Sequence, residues 1–177
     1  MQILDLQVYE EPWTALSESK QVYLAYHKLQ RQPHVIRILN IQNLDEVDDA
    51  YEEVLTYKTV NPYPNIMQVY GRRLVFQKGK ASQASKATLY IAFEHMNKSL
   101  FSEIEDRARL KSNFSLSEIR QISLNIVEGL RHMERKESWH RNLKPSNVFL
   151  GKDGKYKITD IGPSRTVLNT LSSVLVA

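Results

Sequence analysis

Apolar and polar positions follow two different periods along this chain, with the change near residue 95. Before it, VYLAYH (22–27) and HVIRIL (34–39) are short β-rich runs, and KLQRQP between them reads as a hairpin loop. The stretch DEVDDAYEEVLTYKTV (45–60) interrupts the strands. Its acidic start suits a helix N-terminus, Val47, Ala50, Tyr51 and Val54 fall at helical spacing, and NPYPN ends it. NIMQVYG, RRLVF and TLYIAFE predict further strands, the last two separated by a basic, Ser/Ala/Gly-rich loop, QKGKASQASKA.

Beyond residue 95 the period becomes helical. In SLSEIRQISLNIVEGLRHMERK, Ser115 and Glu118 fit a capping box, in which each side chain satisfies a backbone N–H that the first helical turn leaves without a partner. Leu116, Ile119, Ile122, Ile126, Leu130 and Met133 then recur every three or four residues, which predicts one buried stripe. VFLGKDGKYKIT follows as two short strands around a Gly-Lys-Asp-Gly turn. The order predicts an α+β chain without internal repeats: a strand-rich lobe containing one helix, then a helical lobe with a polar loop and a hairpin.

Composition narrows the class. The 177 residues, 42% hydrophobic and 25% charged, suffice for a real core and suit a globular domain. No apolar run reaches membrane-spanning length, and MQILDLQVYEEPW has acids and no basic region ahead of an apolar stretch, so a cytoplasmic protein without a signal peptide is expected. The absence of cysteine excludes disulfides, thiolate metal sites and a cysteine nucleophile. The net charge is +4. Its densest basic stretch, Arg131 to Lys144, has Trp139 as its one aromatic, whereas nucleic-acid binding calls for several stacking platforms beside such a patch.

The stretch SWHRNLKPSNVFLGKDGKYKITDIG (138–162) carries the chemistry. His140-Arg141-Asn142-Leu143-Lys144-Pro145-Ser146-Asn147, with Asp160-Ile161-Gly162 beginning thirteen positions after Asn147, resembles the catalytic loop and metal-binding triplet of the protein kinase superfamily. The resemblance extends over roughly residues 13–165 and implies a two-lobe kinase-like fold. An N-terminal extension (1–12) precedes an N-lobe with hinge (13–96); a partial C-lobe (97–165) and a tail (166–177) follow. LYIAFEHMNKSL is similar to the hinge, with Phe93 as gatekeeper and Glu94 to Met96 as the adenine-facing backbone.

What the resemblance implies can be set beside each residue. Asn142 stands where the family has the aspartate that orients the acceptor hydroxyl and takes its proton; a carboxamide can hydrogen-bond but has no useful basicity. Asn147 and Asp160 occupy the Mg²⁺ positions, and their hard oxygens suit that ion, although Asn and Asp also serve as plain loop cross-links. Lys144 stands where a cation reaches the transferred phosphate. Ile161 keeps an apolar plug in a buried spine continued by His140, Val69 and Tyr57. Arg37 replaces the strand lysine in HVIR, with Glu53 as its helix partner and Glu52 as the near alternative. Guanidinium holds a carboxylate well and fits a compact phosphate site poorly, so a structural Arg37–Glu53 pair is expected.

The glycine-rich loop departs further, since its three positions hold Ala15, Ser17 and Lys20, and Glu18 adds negative charge where phosphate would lie. Val35 and Phe149 crowd the adenine slot. Lys20, however, sits where the with-no-lysine kinases carry their relocated phosphate lysine.

These departures imply a catalytically impaired pseudokinase that acts as a protein-binding, scaffolding or allosteric module. No cofactor is required, and ATP and Mg²⁺ bind weakly if at all. The expected partner is a protein, either an active kinase or the rest of a longer chain, with neither membrane nor nucleic acid. The alternative is a divergent Ser/Thr kinase that uses Lys20. A third reading is a truncated product without independent function. No A-P-E segment or later large-lobe helices follow Gly162, which predicts a fragment or isoform with an exposed apolar patch beside the 115–134 helix.

Overall fold

The computed structural model describes residues 2–17, 21–41, 44–77 and 86–161. Lys20, Glu18, most of the 77–87 loop, Gly162 and the 166–177 tail lie outside the described residues. Two compact units are present, one of residues 1–54 with 68–95 and the other of 55–67 with 96–177.

The first unit is built on a six-stranded sheet of β1 (Gln2–Ile3), β2 (Thr14–Ser17), β3 (Val22–His27), β4 (Gln32–Ile41), β5 (Val69–Gln77) and β6 (Lys86–Glu94), in the order β1-β5-β6-β4-β3-β2. Helix α1 (Leu44–Val60) is shared by residue number between the units. The hairpin predicted at KLQRQP is tighter than expected, because Gln32 and Pro33 already pair with His27 and Tyr26. NIMQVYG and RRLVF are not two strands. They merge into β5, whose register shifts between Val69 and Gly71.

Side-chain alternation along β4 sends Ile36 to one face and Arg37 to the other. Ile36 joins Leu4, Tyr9, Ala25 and Ala92 in a buried cluster, with Leu6, Val8 and Trp13 packed against it. The N-terminal segment therefore covers one face of the sheet. β1 also pairs in parallel with β5 through Gln2↔Gly71 and Ile3↔Arg72. The Tyr9 hydroxyl shares a 2.9 Å hydrogen bond with His34 Nδ1, and burial pushes its pKa up to about 12, helped by neighbouring Tyr70.

In the second unit, β7 (Lys98–Ser99), β8 (Val148–Leu150) and β9 (Tyr156–Ile158) form a small sheet in the order β7-β8-β9. α2 (Leu100–Leu110) is capped by Ser99, whose hydroxyl accepts from Ser102 N at 3.0 Å. α3 (Leu116–Arg135) opens with the predicted Ser115/Glu118 capping box. Its buried stripe differs from the expected one. Ile122, Gly129 and Met133 are buried, whereas Leu116 and Ile119 are 86% and 48% exposed. Leu124 and Val127 are also exposed, so α3 presents an apolar face to solvent.

Gly129 marks the closest approach of α3 to its neighbours. A Cβ there would lie 2.9 Å from the Asn65 carbonyl oxygen and 3.2 Å from Ile158 Cδ1. Gly129→Ala should therefore cost about 1–3 kcal/mol by overpacking, despite the gain in helix propensity. Urea unfolding measures it; a variant as stable as the parent would contradict this packing.

Arg107 ties α2 to the start of α3. Its Nη2 donates to Glu118 Oε1 at 2.6 Å and its Nε to Glu103 Oε1 at 2.8 Å, while its guanidinium lies 4.0 Å from the Phe114 ring centroid. The Arg107 bond, joined by the Ser115 N–H and hydroxyl, lowers the Glu118 pKa from 4.5 to about 2. Because the folded value lies below the unfolded one, this contribution is complete above the unfolded pKa and is lost as pH falls through 4.5 towards 2. The stability gap between the parent and Arg107→Gln should thus narrow on acidification through that window and in high salt. A gap independent of both, measured by thermal melts, would contradict an electrostatic origin.

Candidate functional site

The sequence-predicted residues divide between the two units. In the first, Arg37 lies on β4 and Glu53 on α1, and Arg37 Nη1 donates to Glu53 Oε1 at 2.7 Å. Glu53, and not Glu52, is the partner in this bond. Its side chain is 10% exposed and that of Arg37 28%, so much of the pair is withdrawn from water. Glu94 ends β6; its N–H donates to Gln68 O at 3.0 Å, and its Oε1 accepts from Gln68 N at 2.6 Å. Ala15 and Ser17 flank a register shift in β2, with Leu16 between them exposed. These two glycine-loop positions are thus strand residues.

In the second unit, Asn142, Asn147 and Asp160 meet. The chain turns sharply at Arg141, whose φ is +58°, and the Asn142 N–H donates to His140 O at 2.7 Å. A short 3₁₀ turn, Pro145–Asn147, follows Lys144. Two side-chain bonds then join the loop to the strand end and a third closes the loop on itself. Asn142 Nδ2 donates to Asp160 Oδ2 at 3.0 Å, Asn147 Nδ2 donates to Asn142 O at 2.9 Å, and Thr159 Oγ1 donates to Asn147 O at 3.3 Å. The amide orientation of Asn142 follows from its partner, since an ionised carboxylate can only accept. Asn147 is 5% exposed, whereas Lys144 faces solvent. Met96 and Phe149 are half-buried, and Phe149 pairs with Ser99 and Lys157 on its neighbouring strands.

Asp160 is held from its backbone side as well. Its φ is +55°, a left-handed conformation that aspartate tolerates, and its N–H donates to the Tyr57 hydroxyl at 2.9 Å. Tyr57 is fully buried, and Ile161 and His140 are nearly so. Burial pushes the His140 pKa down, opposed by the Thr159 backbone and the Asp160 charge. Sequence reasoning placed Tyr57 in an apolar spine and missed this hydroxyl contact. The residue's polar tip was the available signal, because a buried tyrosine usually finds a hydrogen-bond partner.

The apolar patch expected beside the 115–134 helix is present. Val127, Leu130, Met133 and Trp139, with Arg131 and Glu134, line an open cavity of about 530 Å³ beside α3. It is mostly apolar and adjoins the exposed stripe of that helix.

Each unit carries residues of a kinase-type pattern, the 140–147 loop with Asp160 in one and the Arg37–Glu53 ion pair in the other. A family model described as the protein kinase domain matches residues 18–176, and the chain belongs to that family. It is 33% identical over 118 residues to the mitogen-activated protein kinase kinase mkk1 of Cytospora mali, covering 60% of this chain and 22% of that protein. It is 26% identical over 152 residues to the serine/threonine-protein kinase dst1 of Dictyostelium discoideum, covering 86% and 19%. With CBL-interacting protein kinase 21 of Oryza sativa subsp. japonica it shares 27% identity over 147 residues, covering 81% and 25%. The chain thus spans about a fifth to a quarter of the length of these relatives.

The Arg37–Glu53 bond yields a prediction of its own. Arg37→Ala should cost about 2 kcal/mol, the scale of a hydrogen bond to a charged group, and Arg37→Lys distinctly less because a cation remains. Equilibrium denaturation of both variants checks this. Equal losses would indicate that packing of the long side chain, and not the charged contact, matters.

Proposed function

We propose that this chain is a catalytically impaired kinase-like domain, a pseudokinase, that works as a protein-binding or allosteric module. The observation that carries the reading is the 3.0 Å bond from Asn142 Nδ2 to Asp160 Oδ2. Phosphoryl transfer to a hydroxyl needs a group that orients the acceptor and takes its proton. At this position the chain has a neutral amide without basicity, and one of its N–H bonds is already committed to Asp160.

Magnesium, where bound, would neutralise charge on the phosphate oxygens, and Asn147 with Asp160 would hold it. The fit is poor. The set contains one carboxylate, one of whose oxygens already accepts an N–H, and one amide, which could offer a metal only its neutral oxygen because its nitrogen bonds the loop backbone. Among the described residues, no group of three or more His, Asp or Glu could hold a metal ion. Strand geometry at Ala15 and Ser17 and an arginine at position 37 likewise favour weak nucleotide binding. The exposed Leu116, Ile119 and Val127 and the neighbouring Trp139 cavity support the protein-binding part.

One set of observations favours a second reading, a divergent Ser/Thr kinase. The Arg37–Glu53 pair is formed, Asn147 and Asp160 both bond Asn142, and the Dictyostelium discoideum relative is named a serine/threonine-protein kinase. Lys20, which that reading requires, lies outside the described residues.

The test is a thermal melt with and without ATP and Mg²⁺, followed by phosphotransfer assays of the parent and Asn142→Asp. A ligand that binds the folded state must raise its apparent stability. The expected result is no shift with ATP and Mg²⁺, and no transfer by either protein. A clear metal-dependent rise in Tm, with transfer that increases sharply in Asn142→Asp, would replace the pseudokinase reading with the kinase one.

A further inference from the structure

We infer that Asn142 is a positioning residue that occupies Asp160 with a neutral N–H donor, so the chain holds this aspartate in place without a divalent cation. The donor that stands in for the cation is Asn142 Nδ2, 3.0 Å from Asp160 Oδ2. The lock has a second half on the backbone side, where the Asp160 N–H donates to the hydroxyl of fully buried Tyr57 at 2.9 Å. It has a base as well. The Asn142 carbonyl accepts from Asn147 Nδ2 at 2.9 Å, and the Asn147 carbonyl accepts from Thr159 N at 2.8 Å. Side chain and backbone of Asp160 are thereby fixed from two directions by residues 57 and 142 of the same compact unit.

Charge decides why an amide belongs at this position. An aspartate at 142 would occupy nearly the same volume but bring a second carboxylate oxygen within hydrogen-bond distance of Asp160 Oδ2. Two like charges so close repel unless a proton or a cation lies between them. Asparagine removes the repulsion and supplies an attraction, so the loop closes on itself. Glutamine or alanine would not reproduce it, one being too long and the other without a donor.

The inference shares Asn142 with the proposed non-catalytic role but is read from stability alone. A kinase assay that overturned that role would leave this test standing.

The experiment is a set of thermal melts on the full chain in low-salt buffer without nucleotide, with and without millimolar Mg²⁺, for the parent, Asn142→Asp, Asp160→Asn and the exchange Asn142→Asp/Asp160→Asn. The parent should be unmoved by Mg²⁺. Asn142→Asp should fall by at least about 3 °C and recover part of that loss with Mg²⁺. Asp160→Asn should stay near the parent, because the amide oxygen it introduces still accepts from Asn142. The exchange should recover most of the loss, since the new amide at position 160 can then donate to the new carboxylate at position 142. If Asn142→Asp gives no cooperative melt, a cooperative melt of the exchange still supports the lock. The inference is overturned if Asn142→Asp melts with the parent, if the exchange is no better than Asn142→Asp, if Asp160→Asn loses its transition, or if the parent itself is stabilised by Mg²⁺ alone.

Discussion

Four backbone hydrogen bonds on three successive residues, Ile158 to Asp160, organise the second unit. Ile158 N donates to Asn65 O, and Met67 N donates back to Ile158 O, both at 3.0 Å. Thr159 N donates to Asn147 O at 2.8 Å, and Asp160 N to the Tyr57 hydroxyl at 2.9 Å. Residues from α1, from the segment after it and from the 140–147 loop thus converge on the end of one three-residue strand. Ile158 itself is fully buried and meets α3 at Gly129, so the same strand also sets how closely that helix approaches. A buried backbone group without a partner costs as much as a lost hydrogen bond, which makes this convergence a requirement of burial. The site geometry is a by-product of it, for Asp160 lies two residues beyond Ile158.

That order of dependence explains how a kinase-type loop can form around an amide at position 142. The contacts that place Asn147 and Asp160 run mainly through main-chain atoms, the Tyr57 hydroxyl and the Asn147 amide, and of those described the Asn142–Asp160 bond is the one that depends on the side chain at 142. An amide for a carboxylate at 142 alters one heavy atom and the charge, while the bonds from Thr159 N, Asp160 N and Asn147 Nδ2 use none of the atoms that change. The same holds at 37. Guanidinium for ammonium keeps a cation against Glu53 and changes what else that cation can reach. Membership of the protein kinase family is a statement about the frame, and activity is a statement about the few atoms set within it.

Most of the frame was legible because its signals are local. The two-residue alternation of β3, β4 and β6, the acidic start of α1 and the Ser115/Glu118 box each lie within a short window. The resemblance of the His140–Asn147 stretch and Asp160 to the family pattern pointed to the loop, and the resemblance of HVIR offered Glu53, with Glu52 as the near alternative, as the partner that Arg37 bonds. What escaped depends on contacts distant in sequence. Gly129 takes a buried position that an apolar count never assigns to glycine. The N-terminal segment has no alternation that marks it as a cover for the sheet. Its role comes from Leu4 and Tyr9 meeting Ile36 and Ala92 from other strands. β7 is two residues long and exists only through pairing with β8.

Tyr57 shows the boundary between what a pattern can and cannot carry. Helical spacing puts it on the buried face of α1, and a phenylalanine there would satisfy the same pattern. The hydroxyl is informative only once Asp160 N is known to lie 2.9 Å away, a contact that spans 103 positions. Asn142 is the converse case. Its departure from the family pattern was legible in the sequence, whereas its bond to Asp160 became visible only with the position of Asp160 Oδ2. A substitution read against a family pattern therefore reports first what has been removed. What the new side chain does in its place has to be read from its neighbours, and here the neighbour is the one carboxylate that the missing aspartate would have repelled.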